Sequence, residues 1–256
     1  MAQVRILILR APGTNCDAET AHAFQQAGAV TEMVHVNQLI RHEKRLSGYQ
    51  ILVVPGGFTY GDDIAAGRVL ANELRLKLGD DIRRFVEAGG LILGICNGLQ
   101  VLVKAGILPE PLNTALSGLT VVANDSGRFE CRWVHLKVNK ESPCVFTSGI
   151  DSLYLPVAHG EGKVVADPEV LPGLNIVVQY IDESGDVKAG YPYNPNGSAE
   201  NIAGICDTSG RVFALMPHPE RHIRGMQHPA WTRIGAKERG DGFQIFQNAV
   251  KWAENL

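Results

Sequence analysis

The sequence predicts an α/β protein: a mostly parallel central sheet with helices on both faces and extra antiparallel strands at one edge. Three observations predict it. Short runs such as VRILILR (4–10) and LILGIC (91–96) are apolar at nearly every position, as in strands buried on both faces, where a half-buried strand would alternate. In the first ninety-five residues each such run is followed by a turn and then by a helical pattern, the alternation of a crossover-built parallel sheet. The second half carries one strand-like run after another, so its strands can be joined directly.

In chain order, 4–10 reads as the first buried strand, and 17–28 as a helix with Asp17 near its N-cap and Gly28 as its stop. YQILVVPGG (49–57) is the next strand. Two helices are predicted at 63–78 and 80–90, then the strand 91–96 and a helix at 97–106, with Leu and Val at helical spacing and a glycine at its end. Strands follow at 120–123, 132–138, 153–159, 175–181, 201–206 and 211–217, and a helix at 242–256 closes the chain. No low-complexity linker, repeat or change of composition divides it, so 1–256 reads as a single domain. The loops 191–201 and 224–242 are long and rich in turn residues, a feature of functional or interface loops.

Composition excludes several classes of function. The 256 residues are 45% hydrophobic and 20% charged, and no run reaches the ~18 apolar residues of a membrane span. A net charge of −3, with no basic stripe, argues against a nucleic-acid partner. The opening MAQVRILILRAPG is broken by Pro12 and Gly13 before it can form the apolar core of a secretory signal, so the cytoplasm is the expected compartment. Five cysteines, Cys16, Cys96, Cys131, Cys144 and Cys206, are scattered and odd in number, which suggests neither a disulfide framework nor a zinc site. One or more of these thiols is a candidate for reactivity, beside the plainer reading of a buried structural cysteine.

Cys96 is the first candidate. It stands in LILGICNGLQ between Gly94 and Gly98, where a strand hands over to a helix. This is a thiol version of the nucleophile elbow: the glycines allow a sharp bend, and the free N–H groups and dipole of the following helix favour a thiolate and an oxyanion. A free thiol of pKa ~8.5 is only a few per cent ionised at neutral pH, so a base must accompany it. MPHPER (216–221) supplies one, because in an extended segment His218 and Glu220 project together as a base and the carboxylate that orients it. His218 and His222 also have metal-ligand spacing, but that geometry needs a helix, which Pro219 opposes. His159 in AHGEG, with Glu161 nearby, is the rival base, and Cys16 in GTNCDAET is the rival nucleophile, better read as a loop residue close to a ligand. VVPGGFTYGDD (53–63) is a glycine-rich strand end whose N–H groups could meet an oxyanion. Neither GxxxxGK[ST] nor a GxGxxG after a strand occurs, so no familiar ATP loop is visible.

Together PGGF (55–58), GICNGLQ (94–100) and MPHPER (216–221) resemble the class I, or triad, glutamine amidotransferases. The stretches GTNCD, GGFTYGDD, SGRFECRW (126–133), AHGEG, YPYNPNGS (191–198) and NIAGI (201–205) are similar to one branch, the glutaminase subunits of phosphoribosylformylglycinamidine synthases of purine biosynthesis. The matches run from residue 14 to about 223, and 224–241 resembles an insertion found in longer members.

The resemblance implies a flavodoxin-like amidotransferase fold and an enzyme that hydrolyses L-glutamine through a cysteinyl thioester. Cys96 would be the nucleophile, His218 the base and acid, and Glu220 the orienting carboxylate. The N–H groups of Gly57 and Asn97 would meet the oxyanion, while Gln100, Arg128 and Phe129 would hold glutamine. Leu99 stands where many members carry an aromatic residue. No metal or cofactor is expected on this chain. ATP and magnesium would belong to a synthetase subunit that uses the ammonia to convert formylglycinamide ribonucleotide to its amidine, and a third small subunit would bridge the two where the synthetase is small. The 191–201 loop is a candidate docking surface. The rival readings are the glutaminase subunit of another synthetase, a non-catalytic amidotransferase-like scaffold, and a cysteine hydrolase or stress protein with a similar elbow.

Overall fold

The computed structural model describes residues 3–110, 118–235 and 237–256. The first half builds a parallel sheet. Strand β1 (Arg5–Arg10) leads into helix α1 (Asp17–Gln26), strand β2 (Val30–His35) and the short helix α2 (Val36–Ile40). Strand β3 (Ile51–Val54) is followed by helix α3 (Arg68–Glu87), and strand β4 (Leu91–Ile95) by helix α4 (Asn97–Lys104). Every residue of β3 and β4 is buried, as their unbroken apolar sequences require. The chain moves from β1 to β2 in one direction across the sheet and from β3 to β4 in the other. Right-handed crossovers therefore place α1 on one face and α3 on the opposite face.

The second half adds β5 (Leu119–Ala123), β6 (Glu130–Val138), β7 (Ser152–His159), β8 (Glu161–Ala166), β9 (Asn175–Ile181), β10 (Ile202–Cys206) and β11 (Val212–Leu215), then helix α5 (Trp231–Ile234) and helix α6 (Phe243–Ala253). The nine-stranded sheet has the order β2-β1-β3-β4-β11-β10-β9-β6-β7, parallel from β2 to β11 and antiparallel from β11 to β7. The predicted antiparallel edge is therefore present and four strands wide. β5 and β8 form a separate antiparallel pair. Helix α6 folds back onto α1, where Phe24 and Phe246 meet edge to face with ring centroids 4.9 Å apart.

Three expectations are corrected. The helices predicted at 63–78 and 80–90 are one helix, α3, since Gly79 costs a long helix only about 1 kcal/mol and does not break it. Residues 63–67 are instead loop, entering the helix through Gly67 at φ +73°. Strand β2 was not predicted because it is an edge strand with only one fully buried residue, Val34, and so lacks a continuous apolar run.

One consequence of the topology governs function. The loops after β1, β3, β4 and β11 all leave the same, carboxyl-terminal edge of the parallel strands, with the order of connection reversing between β1 and β3. A crevice at such an edge is where open α/β sheets hold their ligands.

Candidate active site

Cys96 is the single residue between β4 and α4, and its backbone is bent to φ +51°, ψ −103°. A non-glycine residue in such a conformation persists only where its surroundings impose it. The two glycines show how. A Cβ on Gly98 would stand 2.0 Å from the Val54 carbonyl oxygen, and one on Gly94 would stand 2.7 Å from Leu102 Cδ1 and 3.0 Å from Ala214 Cβ. Helix α4 is thus pressed against the ends of β3 and β11, and the Cys96 N–H is tied to the Leu215 carbonyl at 2.8 Å. The thiol, 5% exposed, donates to the Ala158 carbonyl at 3.7 Å.

His218 reaches the same place because β11 lies beside β4, with Leu215 opposite Ile95. Its Nδ1 is 2.6 Å from Glu220 Oε1, and both side chains are almost wholly buried. A carboxylate can only accept, so Nδ1–H is the donor and Nε2, which has no hydrogen-bond partner among the described residues, is left for the thiol. Burial works against a charged ring here. Glu220 and Cys96 outweigh it, and the imidazole is held well above its ordinary value. The sequence placed His218 and Glu220 on one side of an extended segment; Pro219–Arg221 is in fact a single 3-10 turn, and that turn brings the pair together.

Gly57 follows β3 at φ +150°, where a Cβ would lie 2.6 Å from the Gly13 carbonyl oxygen, so only glycine fits. Asn97 opens α4, and its N–H has no acceptor within the helix. Its side chain does something the sequence did not reveal. Oδ1 accepts from the Thr59 hydroxyl at 2.8 Å and the Thr59 N–H at 3.3 Å, while Nδ2 donates to Gln100 at 2.8 Å and Asp62 at 3.4 Å. Asn97 therefore pins the loop after Gly57 to the elbow.

Gln100 is 4% exposed and its amide is engaged at both ends, with Oε1 accepting from Asn97 and Nε2 donating to the Glu161 carbonyl. Its side-chain amide is therefore not free, and it ties α4 to Glu161. Arg128 and Phe129 are exposed, with the Phe129 ring 6.5 Å from that of Phe58 and close over Gly160.

The rival base is set differently from His218. Asn124 Nδ2 donates to the carbonyls of Arg128 and His159, so its Oδ1 accepts from Gly162 N–H and from His159 Nδ1–H at 3.1 Å. Burial, then the nearby His218, push the His159 ring down to about 4. Glu161, its supposed carboxylate, instead takes Lys104 at 3.4 Å and the Ala66 N–H. His222 turns Nδ1 to the Tyr154 carbonyl at 2.8 Å and makes no pair with His218. In the 191–201 loop, Asn194, Asn196 and Ser198 face inward into a hydrogen-bonded network, and Tyr191 and Tyr193 face out.

Among the described residues, one group has the spacing to hold a cation: Cys16, His218 and Glu220, with one ligand atom from each within 4.8 Å of the others. Two of these are the candidate base and its candidate carboxylate, so an ion there would take the lone pairs that a proton transfer by them needs. A cavity of about 770 Å³ bounded by Leu39, Tyr49, Leu78 and Phe85 is lined by none of Cys96, His218 and Glu220. No described helix is long and apolar enough to cross a membrane.

Residues 3–253 match the CobB/CobQ-like glutamine amidotransferase domain family. The chain is 61% identical to the phosphoribosylformylglycinamidine synthase subunit PurQ of Dehalococcoides mccartyi over 100% of both chains. It is 44% identical to the subunit of the same name from Archaeoglobus fulgidus, over 99% of this chain and 98% of that one. Among solved structures it is similar to a chain of PurLQS from Thermotoga maritima, with a TM-score of 0.75 and 33% identity over 98% of this chain and 99% of that one.

Proposed function

The chain belongs to the CobB/CobQ-like glutamine amidotransferase family, and from that premise we propose that it is the glutaminase subunit of a phosphoribosylformylglycinamidine synthase. It is a glutamine amidotransferase, and the reading of its substrates and partner rests on its full-length similarity to subunits named for that synthase. The observation that carries the chemistry is the pairing of a strained elbow thiol on β4 with a buried imidazole–carboxylate pair at the end of the neighbouring strand β11.

In this proposal the Cys96 sulfur gives its proton to His218 Nε2 and attacks the side-chain amide carbon of glutamine. Negative charge on the amide oxygen is met by the N–H groups of Gly57 and Asn97, which are set in place before the charge develops. His218 then protonates the leaving nitrogen, ammonia departs, and a glutamyl thioester remains on Cys96. The same imidazole takes a proton from water, which cleaves the thioester to glutamate. Glu220 keeps Nδ1 protonated and the ring aimed throughout. Phe58 and Phe129 flank the mouth, and Gln100 steadies the 159–161 segment beside it.

Ammonia released into water at neutral pH is protonated and loses its nucleophilicity, so this reading includes direct delivery to a synthetase subunit. ATP, magnesium and the amidine-forming step are assigned to that partner, with a third small subunit bridging the two. The outward Tyr191 and Tyr193 make the 191–201 loop the proposed docking contact. The proposed setting is the cytoplasm, where the five free thiols would persist.

The test is to mix the chain with a synthetase subunit, ATP, magnesium, glutamine and formylglycinamide ribonucleotide. Glutamate and amidine should form in equal amounts, and the chain alone should release glutamate slowly. Rapid glutamate release with no amidine would overturn the proposed delivery.

A further inference from the structure

The reaction set out above gives Cys16 no part, yet this thiol is drawn into the surroundings of the base. It is 1% exposed, and its contacts run in three directions. Its S–H donates to Asn15 Oδ1 at 3.1 Å, its sulfur accepts from Arg221 Nη2 at 3.2 Å, and its backbone N–H donates to the Gly56 carbonyl at 3.1 Å. Gly56 borders both it and the imidazole: a Cβ there would stand 3.1 Å from Cys16 Sγ and 3.0 Å from His218 Cε1. Cys16 thus ties the end of α1 to the loop that carries Gly57 and, through Arg221, to the turn that carries His218 and Glu220.

The position of Arg221 is the informative part. Its Nε lies 3.9 Å from Glu220 Oε1, the same oxygen that accepts from His218 Nδ1 at 2.6 Å. Two N–H donors therefore compete for one buried carboxylate oxygen, and only the imidazole has reached hydrogen-bond distance. A guanidinium pairs with a carboxylate in geometry that an imidazole cannot match, so an unrestrained Arg221 would close the gap. Glu19 of α1 is the other carboxylate whose charge Arg221 feels. What occupies the guanidinium instead is the Cys16 sulfur.

We infer that Cys16 is a positioning residue: by accepting the Arg221 N–H it holds the guanidinium away from Glu220 and leaves that carboxylate to His218. The inference rests on the triad reading proposed above. It explains why a weak acceptor such as sulfur is buried beside an arginine, and why the turn can carry Glu220 and Arg221 in succession without the second disabling the first.

The experiment measures kcat and KM for glutamine in the complex with the synthetase, for the wild type and for Cys16→Ala, Cys16→Ser, Arg221→Gln and the double variant Cys16→Ala/Arg221→Gln. Cys16→Ala should lower kcat about tenfold with KM changed less than about twofold, since binding groups are untouched. Cys16→Ser keeps an acceptor and should stay within about threefold of wild type. In the Arg221→Gln background Cys16→Ala should cost nothing further, because no guanidinium remains to be held back. Thermal midpoints establish that each variant is folded. If Cys16→Ala does not accumulate, Cys16→Val, which fills the space without accepting, carries the same expectation. A wild-type rate for Cys16→Ala, or an equal loss in both backgrounds, would overturn the inference. Cys96→Ala separates the two readings: glutamate release surviving in that variant sinks the triad, whereas its loss beside fully active Cys16 variants sinks only the role of Cys16.

Discussion

Nδ1 of His218 and Oε1 of Glu220 stand 2.6 Å apart, with the two side chains almost completely removed from solvent. At that separation the carboxylate fixes which ring nitrogen carries the proton and, in the proposed reaction, favours the imidazolium formed when Cys96 is deprotonated. Glu220→Gln keeps the shape and loses the charge, so kcat for glutamate release should fall by about 10²-fold or more. Cys96→Ala, which removes the proposed nucleophile, should leave no measurable rate. Equal and small losses in the two variants would contradict these assignments.

The elbow glycines are not equivalent. A Cβ on Gly98 meets backbone, the Val54 carbonyl oxygen, at 2.0 Å, whereas one on Gly94 meets the movable Leu102 side chain at 2.7 Å and Ala214 Cβ and the Gly98 backbone only at 3.0 Å. Gly98→Ala should therefore destabilise by about 3 kcal/mol and Gly94→Ala by about half as much. Denaturant unfolding of the two variants checks the order, and the reverse order would refute it.

Asn97 links two parts of the site through its side chain, so Asn97→Ala should act on both stability and rate. Loss of its bonds leaves Thr59 and Asp62 short of partners, at a cost of about 2 kcal/mol. With the Gly57 loop unpinned, kcat should drop about tenfold although the Asn97 N–H itself remains. A stability loss with unchanged kcat would show that the loop keeps its place without this residue.

His159 gives the fold a pH dependence of predictable sign. Its native ring stays neutral down to about 4, while the unfolded chain takes up the proton near 6.5, so below 6.5 the unfolded state binds more protons. Stability contributed by this group is complete above pH 6.5 and is lost as pH falls toward 4, by roughly 2–3 kcal/mol. His159→Gln should lose correspondingly less stability than the wild type between pH 7 and pH 4.5. Parallel curves for the two proteins would rule the effect out.

What the sequence revealed and what it hid divide along physical lines. Strands β3, β4 and β11 are buried on both faces, and their unbroken apolar runs announced them; the partly exposed β2 had no such signature. Cys96, His218 and Glu220 were legible as a candidate set because Cys96 follows directly on β4 between two glycines and the other two stand just past β11 on either side of Pro219. The roles of Asn97, Asn124 and Cys16 were not, because each rests on a side chain meeting a partner brought from far along the chain. His159 shows the same limit from the other side: its neighbour in sequence, Glu161, suggested a base pair, while the fold gives the ring to Asn124 and the carboxylate to Lys104. The single helix α3 was divided in two because Gly79 was read as punctuation where the surrounding apolar stripe carries the helix through.

The pairing of β4 with β11 also bears on how the protein is made. The thiol precedes its proposed base by the whole run of strands from β5 to β11, and the sheet must close between Ile95 and Leu215 before the two can meet. A nascent or partly folded chain therefore carries the cysteine without its proposed base until β11 has been made and paired with β4.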